Sequence, residues 1–280
     1  MLGIRNFVVN FIIETSSTED SLKSQRTFLN KLNLVLVSIL KQEWPHNWPT
    51  FINEIISSCH TNLSICENNM SILRLLSEEV FDYSADQMTS AKTKNLKSTM
   101  CAEFSSIFQL CSEVLNTANQ SSLVKATLET LLRFLNWIPL GFIFETPIIE
   151  TLRSRFLEIP EFRNISLKCL TEIGGLQIGA SYSYDDKLIQ MFTEVMASVS
   201  KIIPLSVSLK DSYEKSSSRD QEYVQNLALF FCNFFSVHLN VSAGSTYKFH
   251  PKLIIISLLR TYPHETISTT PISTLYVYLK

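Results

Sequence analysis

Between Thr99 and Asn116 the apolar residues Met100, Phe104, Ile107, Phe108, Cys111, Val114 and Leu115 recur at steps of three and four. With 3.6 residues to a turn, that spacing puts them on one stripe of an α-helix. A stripe this continuous needs a partner, and the chain supplies one at once. Val124, Leu128, Leu131, Leu135 and Ile138 repeat the spacing until Pro139 and Gly141 end the segment.

The same pattern predicts helices elsewhere. Residues 27–42 carry Phe28, Leu32, Val35, Leu36, Ile39 and Leu40, and residues 69–82 carry Ile72, Leu73, Leu76 and Val80. Residues 221–239 supply Val224, Leu227, Ala228, Phe231, Phe234 and Phe235. Thr146 is expected to cap a short helix that opens on Pro147 and reaches about Leu157. After the break at Pro160, Phe162, Ile165, Cys169 and Ile173 form a stripe that stops at Gly174 and Gly175. Asp185 or Asp186 is expected to cap a helix bearing Leu188, Phe192, Val195 and Val199, which ends before Pro204. The polar, Ser/Thr-rich runs 83–97 and 209–220 read as solvated connections. Strict alternation of apolar and polar residues is rare before residue 240, so the fold class is all-α.

Taking every second helix as a repeat start gives positions near 28, 69, 123, 161 and 221. A spacing of about 40 residues, longer where polar loops intervene, is the period of HEAT or armadillo arrays. In such an α-solenoid an antiparallel helix pair is the unit, and stacking buries a continuous core. A compact bundle accommodates the helices but gives no reason for the recurrence.

Composition narrows the function classes. Hydrophobic residues make up 45% of the chain and charged ones 18%, so much of the sequence must be buried. Six glycines leave little with which to build a phosphate cradle. A formal charge of −2 gives no field for a nucleic-acid backbone, so no direct nucleic-acid binding is expected. The apolar stretches Val8 to Ile13 and Leu227 to Val241 read as buried helix and not as membrane insertions; the first is short and the second carries Asn233, Ser236, His238 and Asn240. The six cysteines (Cys59, Cys66, Cys101, Cys111, Cys169 and Cys232) form no CxxC pair, which fits a reducing compartment, and Cys101, Cys111 and Cys169 read as small core residues.

Longer words carry a family resemblance. KQEWPHNWPTF (41–51), NNMSILRLLSEEVFDYS (68–84), EFSSIFQLC (103–111) and ATLETLLRFLNWIPLGFIFET (126–146) resemble the amino-terminal third of exportins, nuclear export receptors of the importin-beta superfamily. FRNISLKCLTEIGG (162–175) and QNLALFFCNFF (225–235) continue the match, which covers about residues 1–240. The resemblance implies a ring-like HEAT solenoid that binds the GTP form of the small GTPase Ran together with cargo bearing a leucine-rich export signal. It also implies passage through the nuclear pore by contact with pore proteins, and shuttling between nucleus and cytoplasm. In this family Ran meets the inner side of the amino-terminal repeats, and the export-signal groove with its reactive cysteine lies in later repeats. None of the six cysteines here is therefore expected to play that part. Residues 1–240 are read as exportin-type repeats that begin inside a repeat, and residues 241–280, rich in Thr, Ser, Pro and Tyr, as a divergent, irregular tail.

Lys92, Lys94 and Lys97 are the basic candidates for the Ran side, against the plainer reading of a solvated helix start. Trp44, Pro45, Trp48 and Pro49 read as a rigid turn with both indoles packed between helices, and Trp137 with Pro139 closes another helix similarly. No HxxxH or HxxE pair and no GxSxG elbow occurs, so no metal, cofactor or catalytic residue is assigned and a binding scaffold, not an enzyme, is expected. A HEAT scaffold of a complex outside transport is the alternative.

Overall fold

The computed structural model describes residues 2–81, 90–179, 184–203, 213 and 216–244, and among these there are helices and no strand. The chain divides into two compact units, Met1–Ile138 and Pro139–Lys280.

In the first unit, α1 (Leu2–Ser16) and α2 (Glu19–Ser24) precede α3 (Arg26–Glu43). Two helix pairs follow, α4 (Phe51–Cys59) with α5 (Leu63–Phe81) and α6 (Ser90–Thr117) with α7 (Ser121–Phe134). Short links at 60–62 and 118–120 fold each pair into an αα-hairpin. Helices α3, α5 and α7 pack side by side in that order, and α4 packs on α6. This is the stacking of HEAT repeats, and the starts of α3, α5 and α7 reproduce the recurrence read in the sequence. The α6 stripe is buried from Met100 to Leu115, as are Val124, Leu128, Leu131, Leu135 and Ile138 opposite it.

Polar side chains bind one repeat to the next. Thr130 Oγ1 on α7 donates to Met70 O on α5 at 2.8 Å. Arg74 reaches Glu129 at 2.8 Å, Arg133 reaches Glu78 at 2.9 Å, and Lys41 on α3 reaches Glu79 at 2.6 Å. Partly solvated pairs of this kind contribute about 0.2–1 kcal/mol each, so they fix register more than they supply stability.

In the second unit, α8 (Leu140–Phe144) and α9 (Ile148–Thr151) lead into a π-helical turn, Leu152–Leu157. Then come α10 (Arg163–Gly174), α11 (Asp185–Ile202) and α12 (Ser218–Gly244), the last kinked at His238. Helix α10 lies along α12 and also against the π-helical turn. Phe192 of α11 sits among Phe230, Phe231, Phe234 and Phe235 of α12, and of these four rings that of Phe234 is nearest, with centroids 4.7 Å apart.

Several expectations are corrected. Helix α6 begins at Ser90, so residues 90–97 are helical and not connection; Leu96, buried one turn before Met100, extends the stripe. Helix α3 buries Leu29, Asn33, Leu36, Val37 and Leu40, while Phe28 and Val35 are exposed. Helix α1 is not wholly buried either: Val8 and Ile12 face inward, and Phe7 and Ile13 face outward. Cys101 is exposed, because one step past Met100 turns it about 100° off the buried stripe. Thr146 caps nothing: Pro147 stands at the start of α9, and Thr146 Oγ1 donates to Phe142 O at 2.6 Å. Tyr184 precedes α11 without a side-chain cap, and Asp185 and Asp186 lie in its first turn, where their charge suits the helix dipole. Residues 218–220 of the second predicted connection and 241–244 of the expected irregular tail are helical, as part of α12, while residues 83–89, 209–212, 214 and 215 of the predicted connections and the tail from 245 onward lie outside the described residues.

Candidate partner interface

The lysine cluster lies in the first turns of α6, which has no acidic residue in its first turn. Lysines at a helix N-terminus oppose the helix dipole by about 0.3–1 kcal/mol each, so this end is held electropositive against its own backbone. At about 100° per residue, Lys94 and Lys97 lie roughly 60° apart around the axis and Lys92 lies on the other side.

The three have different surroundings. Lys92 Nζ donates to Gln42 Oε1 of α3 at 2.5 Å, and one turn on Asn95 Nδ2 meets His46 Nε2 at 3.1 Å. Lys97 Nζ donates to Phe81 O at 3.4 Å, which puts a cation on the C-terminal end of α5. Its ammonium also stands 5.7 Å from the Phe81 ring centroid and 5.6 Å from that of Trp137, a cation–π arrangement worth about 0.5–1 kcal/mol. Lys94 is exposed. The geometry therefore brings Lys97 into a small aromatic cluster, ties Lys92 to the neighbouring repeat, and leaves Lys94 outward.

Trp137 follows the end of α7. Its ring stacks on Phe81 with centroids 4.3 Å apart, yet 41% of the residue is exposed. Trp44 and Trp48 are instead buried. Trp48 Nε1 donates to Glu54 Oε2 at 3.1 Å, and the Arg5 guanidinium lies over its ring at 4.6 Å while pairing with Glu43 at 3.1 Å. Pro45 follows Trp44 through a cis peptide bond, and Pro49 is exposed in the turn ahead of α4. Pro139 is exposed immediately before α8.

A shallow groove on α3 is lined by Leu34, Val35, Ser38, Ile39 and Gln42, and the void between α6 and α7 beside Phe104 and Phe134 measures about 10 Å³. Among the described residues no cluster of three His, Cys, Asp or Glu side chains is placed to hold a metal ion. Among the same residues no helix is long and apolar enough to cross a membrane. Helix pairs stacked side by side define a class, the helical-repeat binding proteins.

Comparison with known proteins sharpens that class. Residues 25–170 match the model of the Exportin 1-like protein family, and the chain belongs to that family. It is 60% identical over 238 residues to Exportin-1 of Schizosaccharomyces pombe, which covers 85% of this chain. Identity to Exportin-1 of Drosophila melanogaster is 50% over 84% of the chain, and to Exportin-1 of Dictyostelium discoideum 45% over 87%. The chain spans 22% of the length of the first two relatives and 24% of the third.

Proposed function

We propose that this chain is the Ran-side segment of a nuclear export receptor. It binds the GTP form of Ran and takes part in carrying proteins with leucine-rich export signals through the nuclear pore. Membership of the Exportin 1-like family is the observation that carries this reading. The segment works by protein contact alone and performs no catalysis. Residues 1–240 supply its exportin-type repeats, and residues 241–280 diverge in sequence from that family.

In this reading Lys92, Lys94 and Lys97 face an acidic patch of Ran, with Lys94 the outermost. The exposed ring of Trp137 beside Lys97 supports that placement, since interfaces centre on aromatic anchors with charged neighbours. Transport direction then rests on coupling: Ran and cargo each raise the receptor's affinity for the other, commonly by about 1–3 kcal/mol. Such a receptor moves between nucleus and cytoplasm with its cargo and touches pore proteins on the way. Retention of GTP-loaded against GDP-loaded Ran on the longer receptor tests the reading. Preference for the GTP form is expected, and equal retention of both contradicts it.

A further inference from the structure

Helix α1 carries an apolar row on a side turned to solvent. Ile4, Phe7 and Phe11 fall within about 60° of one another around its axis. Ile4 is 66% and Phe7 67% exposed. The buried Val8 and Ile12 occupy a separate sector, so α1 is apolar on two sides. A surface helix ordinarily keeps one apolar face and a polar back, whereas a helix with two apolar faces has a neighbour on each. Helix α3 continues the row. Phe28 and Val35, about two turns apart, are half exposed, and the Phe11 and Phe28 rings meet edge to face with centroids 5.6 Å apart. The Arg5–Glu43 pair joins the other ends of the two helices, so α1 and α3 run antiparallel with their outward rows side by side.

The row itself carries no charge, and the charges beside it are of both signs. Arg5 and Glu14 are the charged residues of α1, and Arg5 is engaged by Glu43 and by the Trp48 ring. Glu14 stands one turn past Phe11 and Lys31 one turn past Phe28, and both are exposed. An acid on α1 and a base on α3 thus flank the row near the end where Phe11 meets Phe28.

We propose that this face joins two copies of the chain in a symmetric dimer, α1 of each copy lying on α3 of the other. The inference goes beyond the transport reading and does not depend on it. Charge selects a second copy as the occupant. A two-fold axis running along the face forms every contact twice, so Glu14 of each copy approaches Lys31 of the other. A strongly acidic or strongly basic partner meets no matching field here. Shape agrees, because two antiparallel helix pairs laid face to face make the packing of a four-helix bundle. Area agrees as well: Ile4, Phe7, Phe11, Phe28 and Val35 expose on the order of 500 Å², as much as the largest apolar patch of an ordinary monomer. Two such faces bury about 1,000 Å² together, the lower limit for a specific interface and well short of an obligate one. The dimer is therefore reversible, with a dissociation constant on the order of 10 μM.

The test is sedimentation velocity of the 280-residue chain from about 1 to 100 μM. A reversible shift from the monomer mass to twice that mass, with no larger species, is expected. Phe7→Glu weakens association at least about ten-fold. Ile13→Glu, at an exposed position at least about 120° around α1 from each member of the row, leaves it unchanged. Glu14→Lys and Lys31→Glu each weaken the dimer, and the two together restore it. A chain that stays monomeric at about 100 μM, assembly that continues past the dimer, or association that survives Phe7→Glu overturns the proposal. Charge exchanges that fail to rescue one another overturn the placement of α1 on α3. If Phe7→Glu fails to fold by circular dichroism, the exchanges at the exposed Glu14 and Lys31 decide.

Discussion

Asn33 and Asn68 exchange amide hydrogen bonds across the α3–α5 seam: Asn33 Nδ2 donates to Asn68 Oδ1 at 2.9 Å, and Asn68 Nδ2 returns to Asn33 Oδ1 at 3.2 Å. Both side chains are buried, so each amide is the other's replacement for water. The second unit has a looser counterpart on the α10–α12 seam, where Asn226 Nδ2 meets Asn164 Oδ1 at 3.4 Å. A paired amide tolerates no slip along the helix axis, and this makes it a register lock between neighbouring repeats.

Breaking the lock from one side is expected to cost more than removing it. Asn33→Ala leaves the Asn68 amide buried without its partner and should lower stability by about 1–3 kcal/mol. Asn33→Leu with Asn68→Leu removes both amides at similar volume and should come close to neutral. Urea denaturation of the singles and the double checks this, and additive losses would refute the pairing.

Neighbouring residues on α3 give a second test. Leu36 is 3% exposed and Val35 is 46% exposed. Leu36→Ala should cost about 2–5 kcal/mol, as buried leucines do. Val35→Ala should stay within about 0.5 kcal/mol. Thermal melts of the two variants decide which face of α3 points inward.

That face was hard to read in the sequence for a definite reason. Phe28, Leu29, Leu32, Leu34, Val35, Leu36, Val37, Ile39 and Leu40 surround the helix with apolar choices, so a period of 3.6 fits more than one stripe. The structure settles on Leu29, Leu36, Val37 and Leu40 and places a polar residue, Asn33, inside that stripe. A buried asparagine is invisible to hydrophobic periodicity, because its partner Asn68 is a tertiary neighbour. Helix α6 was legible because its apolar residues occupy a single face and the rest of it is polar. The lysines were legible as charges, but their settings were not. Lys97's role depends on where α5 ends and where Trp137 lands, and no local pattern carries that.

Those settings separate Lys97 from Lys94. Lys97→Ala removes a carbonyl contact and two ring contacts and should lower stability by about 1 kcal/mol. Lys94→Ala, at an exposed position, should stay within about 0.5 kcal/mol. Under the transport reading, Lys94→Glu weakens Ran binding without a change in melting temperature. Calorimetric melting alongside Ran titration separates the two effects.

His238 makes stability depend on pH. Burial holds its imidazole below the ordinary value of 6.5, against the pull of Asp185 and the backbone of Gly174 and Leu176. Protonation thus favours the unfolded chain, so the contribution is intact above pH 6.5 and is lost as pH falls through the lower folded value. His238→Gln should flatten this part of the profile. Urea midpoints between pH 7.5 and 5.5 check it, and an unchanged slope in the variant would contradict it.

Hydrogen–deuterium exchange of the longer receptor, with Ran loaded in turn with GTP and GDP, tests the central claim most directly. Added protection of the amides in residues 90–97 and around Trp137 with the GTP form, and little with the GDP form, is the predicted result. Equal protection by both forms, or none anywhere in residues 1–240, would contradict it.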